Sequence, residues 1–275
     1  MTRDRPDTPS KDGRRPGPLT AMGRQAAASA KAALAWSAHR LARSGIRTLI
    51  LGPAKGRVDF GGLRRLTPVS RLYGYDRGEP IDRYYIEKFL DAHRDRIFGT
   101  VLEISENTYT KKFGDDRVTR SEVLHYDDPS PPATVTGDLT DAPHLPSDHY
   151  DCIVITQTLM FIYDVKAAVE TLHRILKPGG TVLATQAGLS QIAEKPAWND
   201  TWHWGFTRAS MHRLFEDAFV GGEVEVQTHG NVLSTIAFLH GLSHDELTER
   251  ELDRTDPEYQ MLVSVVARKA AAKGA

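Results

Sequence analysis

One tetrapeptide constrains this chain more than any other: Lys177-Pro178-Gly179-Gly180. Pro178 cannot continue a helix, and the two glycines permit a tight reversal. Before it, Val165, Ala168, Val169, Leu172, Ile175 and Leu176 recur at helical spacing behind Asp164, a residue suited to cap a helix. After it, residues 181–185 form an apolar run of strand length. The segment reads as helix, turn and buried strand.

The same alternation extends along the chain. Residues 82–94 and 207–219 read as helices, the second with Thr207 as candidate N-cap. Residues 100–104, 117–122, 133–137, 150–156, 223–228 and 261–268 read as strands, the second of them weak. Helical turns are expected over 232–240 and 244–252. Alternating strands and helices predict a mostly parallel sheet covered on both faces. Residues 1–20 are expected to be a disordered basic tail. Residues 21–70 are expected to form a helical and irregular extension, with an Ala-rich helix over 21–43. Residues 71–270 then form the main domain.

The chain has 275 residues, 40% hydrophobic, with a net charge of −1. The charge is uneven: residues 1–71 hold 15 Lys/Arg against 4 Asp/Glu. That suits contact with a membrane surface or an acidic partner, or simply a solvated tail. Cys152 is the single cysteine, so no intramolecular disulfide forms, and a cytoplasmic, reducing compartment fits. No apolar run is long enough to cross a bilayer, and no secretory signal opens the chain. His125, His144, His149, His173 and His212 lack metal-ligand spacing, so no metal is expected. No P-loop, Gly-x-Gly-x-x-Gly turn or RNA-recognition signature is present, and no sequence-specific nucleic acid is expected.

The Leu172–Thr185 segment resembles the turn before the fifth strand of class I S-adenosylmethionine-dependent methyltransferases. Four further stretches resemble the same family in the right order: residues 100–107, 118–122, Gly137-Asp138-Leu139, and 150–158. The resemblance covers about 73–269 and implies an α/β Rossmann-like fold: a mostly parallel seven-stranded sheet with an antiparallel C-terminal hairpin strand. It further resembles methyltransferase-like proteins of bacterial glycan and secondary-metabolite gene sets, through residues 75–86 and 157–164.

The resemblance implies S-adenosylmethionine as cofactor and assigns residues to it. Glu103 falls at the methionine amino group, or else caps a helix. Glu122 falls at the ribose hydroxyls, or else is a surface strand charge. Asp138 falls at the adenine amine, or else is a turn residue, with Leu139 and Thr156 beside them. The usual glycine-rich loop is missing: Ser105-Glu106-Asn107-Thr108 follow Glu103. Ser105 is small enough for close approach, and Asn107 tolerates left-handed backbone.

On the acceptor side stand Arg77, Arg83, Tyr84, Gln157, Trp202 and Trp204, with His203 as candidate base and Asp200 to orient it. Packing is the competing reading for the tryptophans and His203. The implied activity is methyl transfer to a small molecule or glycan, at oxygen. The alternatives are a methyltransferase fold recruited to non-methylating natural-product chemistry, or a non-catalytic binding module.

Overall fold

The computed structural model describes residues 52–193 and 201–272. The expected tail and Ala-rich helix lie outside them, as does Asp200. The chain divides into two units, Met1–Arg64 and Arg65–Ala275. The described part of the first is irregular, with one 3-10 turn at Gly61–Leu63 that buries no side chain.

The second unit is built on a seven-stranded sheet. Its strands are β1 (Gly99–Ile104), β2 (Val118–His125), β3 (Val135–Thr136), β4 (Tyr150–Thr156), β5 (Leu176–Ala187), β6 (Glu223–His229) and β7 (Leu262–Arg268). Their order is β3-β2-β1-β4-β5-β7-β6. β1 to β5 pair in parallel, and β7 runs antiparallel between β5 and β6. The helices are α1 (Ile81–Ala92), α2 (Val165–Ile175), α3 (Arg208–Ala218), α4 (Val232–Leu239) and α5 (Glu249–Asp253).

Strand alternation splits the core in two. Ile153 and Ile155 of β4 pack with Val169 and Leu172 of α2 and Phe215 of α3. Cys152 and Val154 pack with Ile86 and Leu90 of α1 and Phe238 of α4. The Cys152 thiol is fully buried, and burial pushes its pKa far up, so it is an inert core residue.

Asp164 and Thr207 cap their helices as expected, accepting from the Ala167 and Ser210 amides. Two boundaries differ from the sequence reading. β2 runs on through Val123-Leu124-His125. α2 ends at Ile175, because Leu176 already pairs with Tyr150. Pairing resumes at Cys152 with Thr181, so Lys177–Gly180 is a bulge within β5 rather than a free turn. Gly179 there has φ +81°.

Candidate active site at the switch point

From β1 the chain winds outward to β2 and β3, then returns to start β4 on the other side. In such sheets the loops leaving the strands diverge at this switch point and open a crevice. A cleft of about 970 Å³ lies there, large even for sites that hold drug-sized ligands. Ser105 and Gln157 follow β1 and β4 directly and line it, each with left-handed backbone: φ +70° and +47°.

Eight of the expected site residues line the cleft: Glu103, Ser105, Asp138, Leu139, Thr156, Arg83, Gln157 and Trp202. Glu103 is buried at the end of β1. Its two carboxylate oxygens accept from the Tyr109 and Thr110 amides, at 3.2 and 2.7 Å. They thereby cap a π-helical turn over Thr110–Gly114, which carries no periodic apolar signal. Burial pushes the Glu103 pKa up, and the hydrogen bonds from Thr110 and Tyr109 oppose it. The left-handed residue in the loop is Ser105, not Asn107. The Ser105 carbonyl meets His125 Nε2 at 2.7 Å. Asp138 Oδ1 accepts from the Thr140 amide at 2.8 Å, a turn-forming bond that leaves Oδ2 available.

Arg83 projects from α1 and donates to the hydroxyls of Tyr75 (3.1 Å) and Tyr109 (2.9 Å). Burial works against its charge, but Asp82 and the two tyrosines more than offset this and push its pKa up. Burial pushes the Tyr109 hydroxyl up to about 12 despite Arg83. Trp202 packs edge-on against Phe161, ring centroids 5.2 Å apart.

Six expected site residues lie outside the cleft lining. Glu122 sits three residues before the end of β2, with Tyr150 Oη donating to it at 2.6 Å and Arg120 paired to it; it does not line the cleft. The strand's apolar continuation carries the chain past it, so Tyr126 takes the tip. Asn107 turns aside, donating to Ser121 Oγ at 3.1 Å. Arg77 pairs with Glu246 through two nitrogens, one at 2.9 Å. Tyr84 donates to Asp253 at 2.7 Å and does not line the cleft. Trp204 Nε1 donates to the carbonyls of Ile162 (3.0 Å) and Tyr163 (3.2 Å), which pins its loop without reaching the cleft. His203 is exposed outside the lining, its ring edge-on to Tyr163.

Several lining residues carry no site expectation from the sequence: Asp82, Tyr73, Tyr75, Tyr126, Phe161, Tyr163 and Asp164. Asp164 is legible from the sequence only as a helix cap. Asp82 makes no capping bond; Pro80 holds that position. Among the described residues no three His, Cys, Asp or Glu side chains gather as a metal site, and no helix is long and apolar enough to cross a membrane.

The strand order, with its antiparallel β7 inserted beside β5 and a crevice between β1 and β4, defines the Rossmann-like class I methyltransferase fold. Residues 90–184, from the end of α1 through most of β5, match the family model described as a methyltransferase domain. No curated protein sequence matches the chain. Solved structures similar to it include an S-adenosylmethionine-dependent methyltransferase from Archaeoglobus fulgidus: 10% identity, 68% of this chain and 94% of that one, TM-score 0.46. Another is an S-adenosylmethionine-dependent methyltransferase from Mesorhizobium loti: 16% identity, 69% and 100%, TM-score 0.44. A third is the [4+2]-cyclase SpnF: 14% identity, 68% and 81%, TM-score 0.43.

Proposed function

We propose that the protein is an S-adenosylmethionine-dependent methyltransferase acting at oxygen on a small-molecule or sugar acceptor. The observation that carries this reading is the charge of the cleft. Its described lining holds Asp82, Glu103, Glu106, Asp138 and Asp164 against Arg83. Such a lining attracts a net cation. The sulfonium and ammonium of S-adenosylmethionine, less its one carboxylate, make it one.

The residues present fit this group. Glu103 spends one acceptor site of each oxygen on a backbone amide, and a carboxylate offers about four in all. The remainder suits the methionine ammonium. Asp138 Oδ2 suits the adenine amine, with Leu139 as an apolar wall. Ser105 gives the close backbone approach that glycine gives elsewhere. Arg83, bonded among the described residues only to neutral hydroxyls, supplies a positive seat for a carboxylate. When bound, the cofactor supplies a methyl on sulfur, whose carbon–sulfur bond breaks with its electron pair left on sulfur as the acceptor atom bonds to carbon.

The remaining lining supports a small, partly aromatic or sugar-like acceptor. Tyr75, Phe161, Tyr163, Trp202 and Phe238 offer apolar walls, and Gln157 and Ser190 offer polar groups. Much of the acceleration in such a transfer comes from holding acceptor and methyl in line.

Calorimetric titration with S-adenosylhomocysteine tests the reading. The wild-type protein is expected to bind it, and Asp138→Ala to bind it about tenfold more weakly, the worth of one good hydrogen bond. Equal affinities would remove Asp138 from the site. No binding by the wild type would sink the proposal.

A further inference from the structure

Asp82 is a buried carboxylate, 7% exposed, in the first turn of α1. At that position a carboxylate ordinarily serves the helix N-terminus. This one makes no capping bond and lines the cleft instead. Among the described residues it makes no salt bridge, although its charge helps to hold that of Arg83. The neighbouring Arg83 is turned to two tyrosine hydroxyls.

The bond Asp82 does receive comes from across the fold: Gln157 Nε2 donates to Oδ2 at 3.0 Å. Gln157 stands immediately after β4, and its amide donates to the Thr185 carbonyl at 2.7 Å. That anchor holds the residue in its left-handed conformation. The other end of its side chain, Oε1, is buried with no partner. A buried acceptor without a partner is costly unless something else supplies a donor. A carboxylate oxygen and an amide oxygen therefore stand together at the β4 end of the cleft, both wanting protons. The candidate cofactor residues Glu103 and Asp138 lie toward β1 and β3.

We infer that Asp82 is the general base of the transfer, and that the acceptor is a hydroxyl compound with two donors within reach of this pair. This rests on the donor-binding reading above. One hydroxyl donates to Asp82 and the second donor to Gln157 Oε1. As the first hydroxyl oxygen takes the methyl, its proton passes to an Asp82 oxygen. The carboxylate becomes the neutral acid, then loses the proton to solvent once the methyl ether leaves. Gln157 is a positioning residue for the carboxylate and a contact for the acceptor. A vicinal diol, in a catechol or a sugar ring, has this pattern of donors.

Two cofactor analogues test the assignment without an identified acceptor. S-adenosylhomocysteine is a neutral thioether at the reacting centre. Sinefungin carries an amine where the transferable methyl stands. A base facing that methyl accepts a hydrogen bond from the ammonium of sinefungin and contributes nothing to the thioether. The expected result is that wild type prefers sinefungin, and that Asp82→Asn cuts its affinity for sinefungin about 10- to 100-fold. Its affinity for S-adenosylhomocysteine should stay within about twofold. Gln157→Leu, which frees the carboxylate to reorient, should cut the preference by a smaller factor and serves if Asp82→Asn does not fold. A preference unchanged in the variants overturns the base assignment while leaving cofactor binding intact. Equal loss of both ligands in Asp82→Asn also overturns it, placing Asp82 in the cofactor seat. A wild type that binds neither analogue removes the donor-binding reading itself.

Discussion

Replacing Glu103 with alanine is expected to destabilise the protein by about 2–5 kcal/mol and to abolish measurable binding of S-adenosylhomocysteine. The stability effect follows from the two buried amides, Tyr109 and Thr110, that lose their acceptor. Each orphaned donor costs about 1–3 kcal/mol. For a domain of this size that lowers Tm by roughly 5–15 °C in a thermal melt. Glu103→Gln should lose less. It keeps one acceptor oxygen and removes a charge that burial disfavours, which is why the Glu103 pKa stands above its ordinary value. The sign follows: this carboxyl favours the folded state when protonated, and that contribution fades as pH rises through its folded pKa. The glutamine variant should therefore approach wild-type stability yet still bind the cofactor product poorly. If Glu103→Ala melts with the wild type, the capping account is wrong.

The second large effect is acid lability through His229. Its ring lies at the end of β6, with Nε2 2.8 Å from Ser264 Oγ and its face tilted against Tyr85. Burial pulls its pKa from 6.5 down to about 4. A histidine with a depressed pKa contributes stability above its unfolded value and loses it as pH falls through the folded one. Between pH 6.5 and pH 4 the unfolded chain takes up a proton that the folded one refuses. The expected loss is about 2–3 kcal/mol by pH 4.5. Urea unfolding at pH 7 and pH 4.5 should show it in wild type, and show it reduced by that amount in His229→Gln. Carboxylates with depressed pKa values, such as Glu246 and Asp253, add their own acid sensitivity to both proteins and cancel in the difference. Equal pH dependence in the two would discard the assignment.

The fold was legible because its signals are local. The α2 stripe, the proline and paired glycines after it, and the apolar run of β4 each specify an element by periodicity or backbone chemistry alone. Arg120, Ser121 and Glu122 mask the alternation of β2, which hides its last three residues and puts the expected ribose ligand that far before the strand's end. The cleft was half legible. Residues that leave strand tips directly, such as Glu103, Ser105, Asp138 and Gln157, follow from strand ends. Residues brought in by the chain before α1 and by the loop after β5 do not, since nothing local says which side of a short helix faces the sheet edge. Tyr84 and Asp82 show it: two helix positions apart, one meets Asp253 and the other lines the cleft. The chemistry of His203 suits a base, but its loop is pinned by the Met160 carbonyl and presents the ring outside the cleft.

A glycine-rich rim samples many shapes before a ligand arrives. Here the rim is set by Ser105 and Gln157, ordinary residues in a strained region of backbone space, each tied to a neighbouring strand: Ser105 to the Leu124 carbonyl at 3.0 Å, Gln157 to that of Thr185. Fewer alternatives remain to be frozen out on binding, so the entropic penalty of ordering the rim is smaller. The same stiffness works against misfitting guests, because the edge of the crevice cannot relax around them. On the proposed function, part of the selectivity resides in main-chain rigidity, ahead of any side-chain contact.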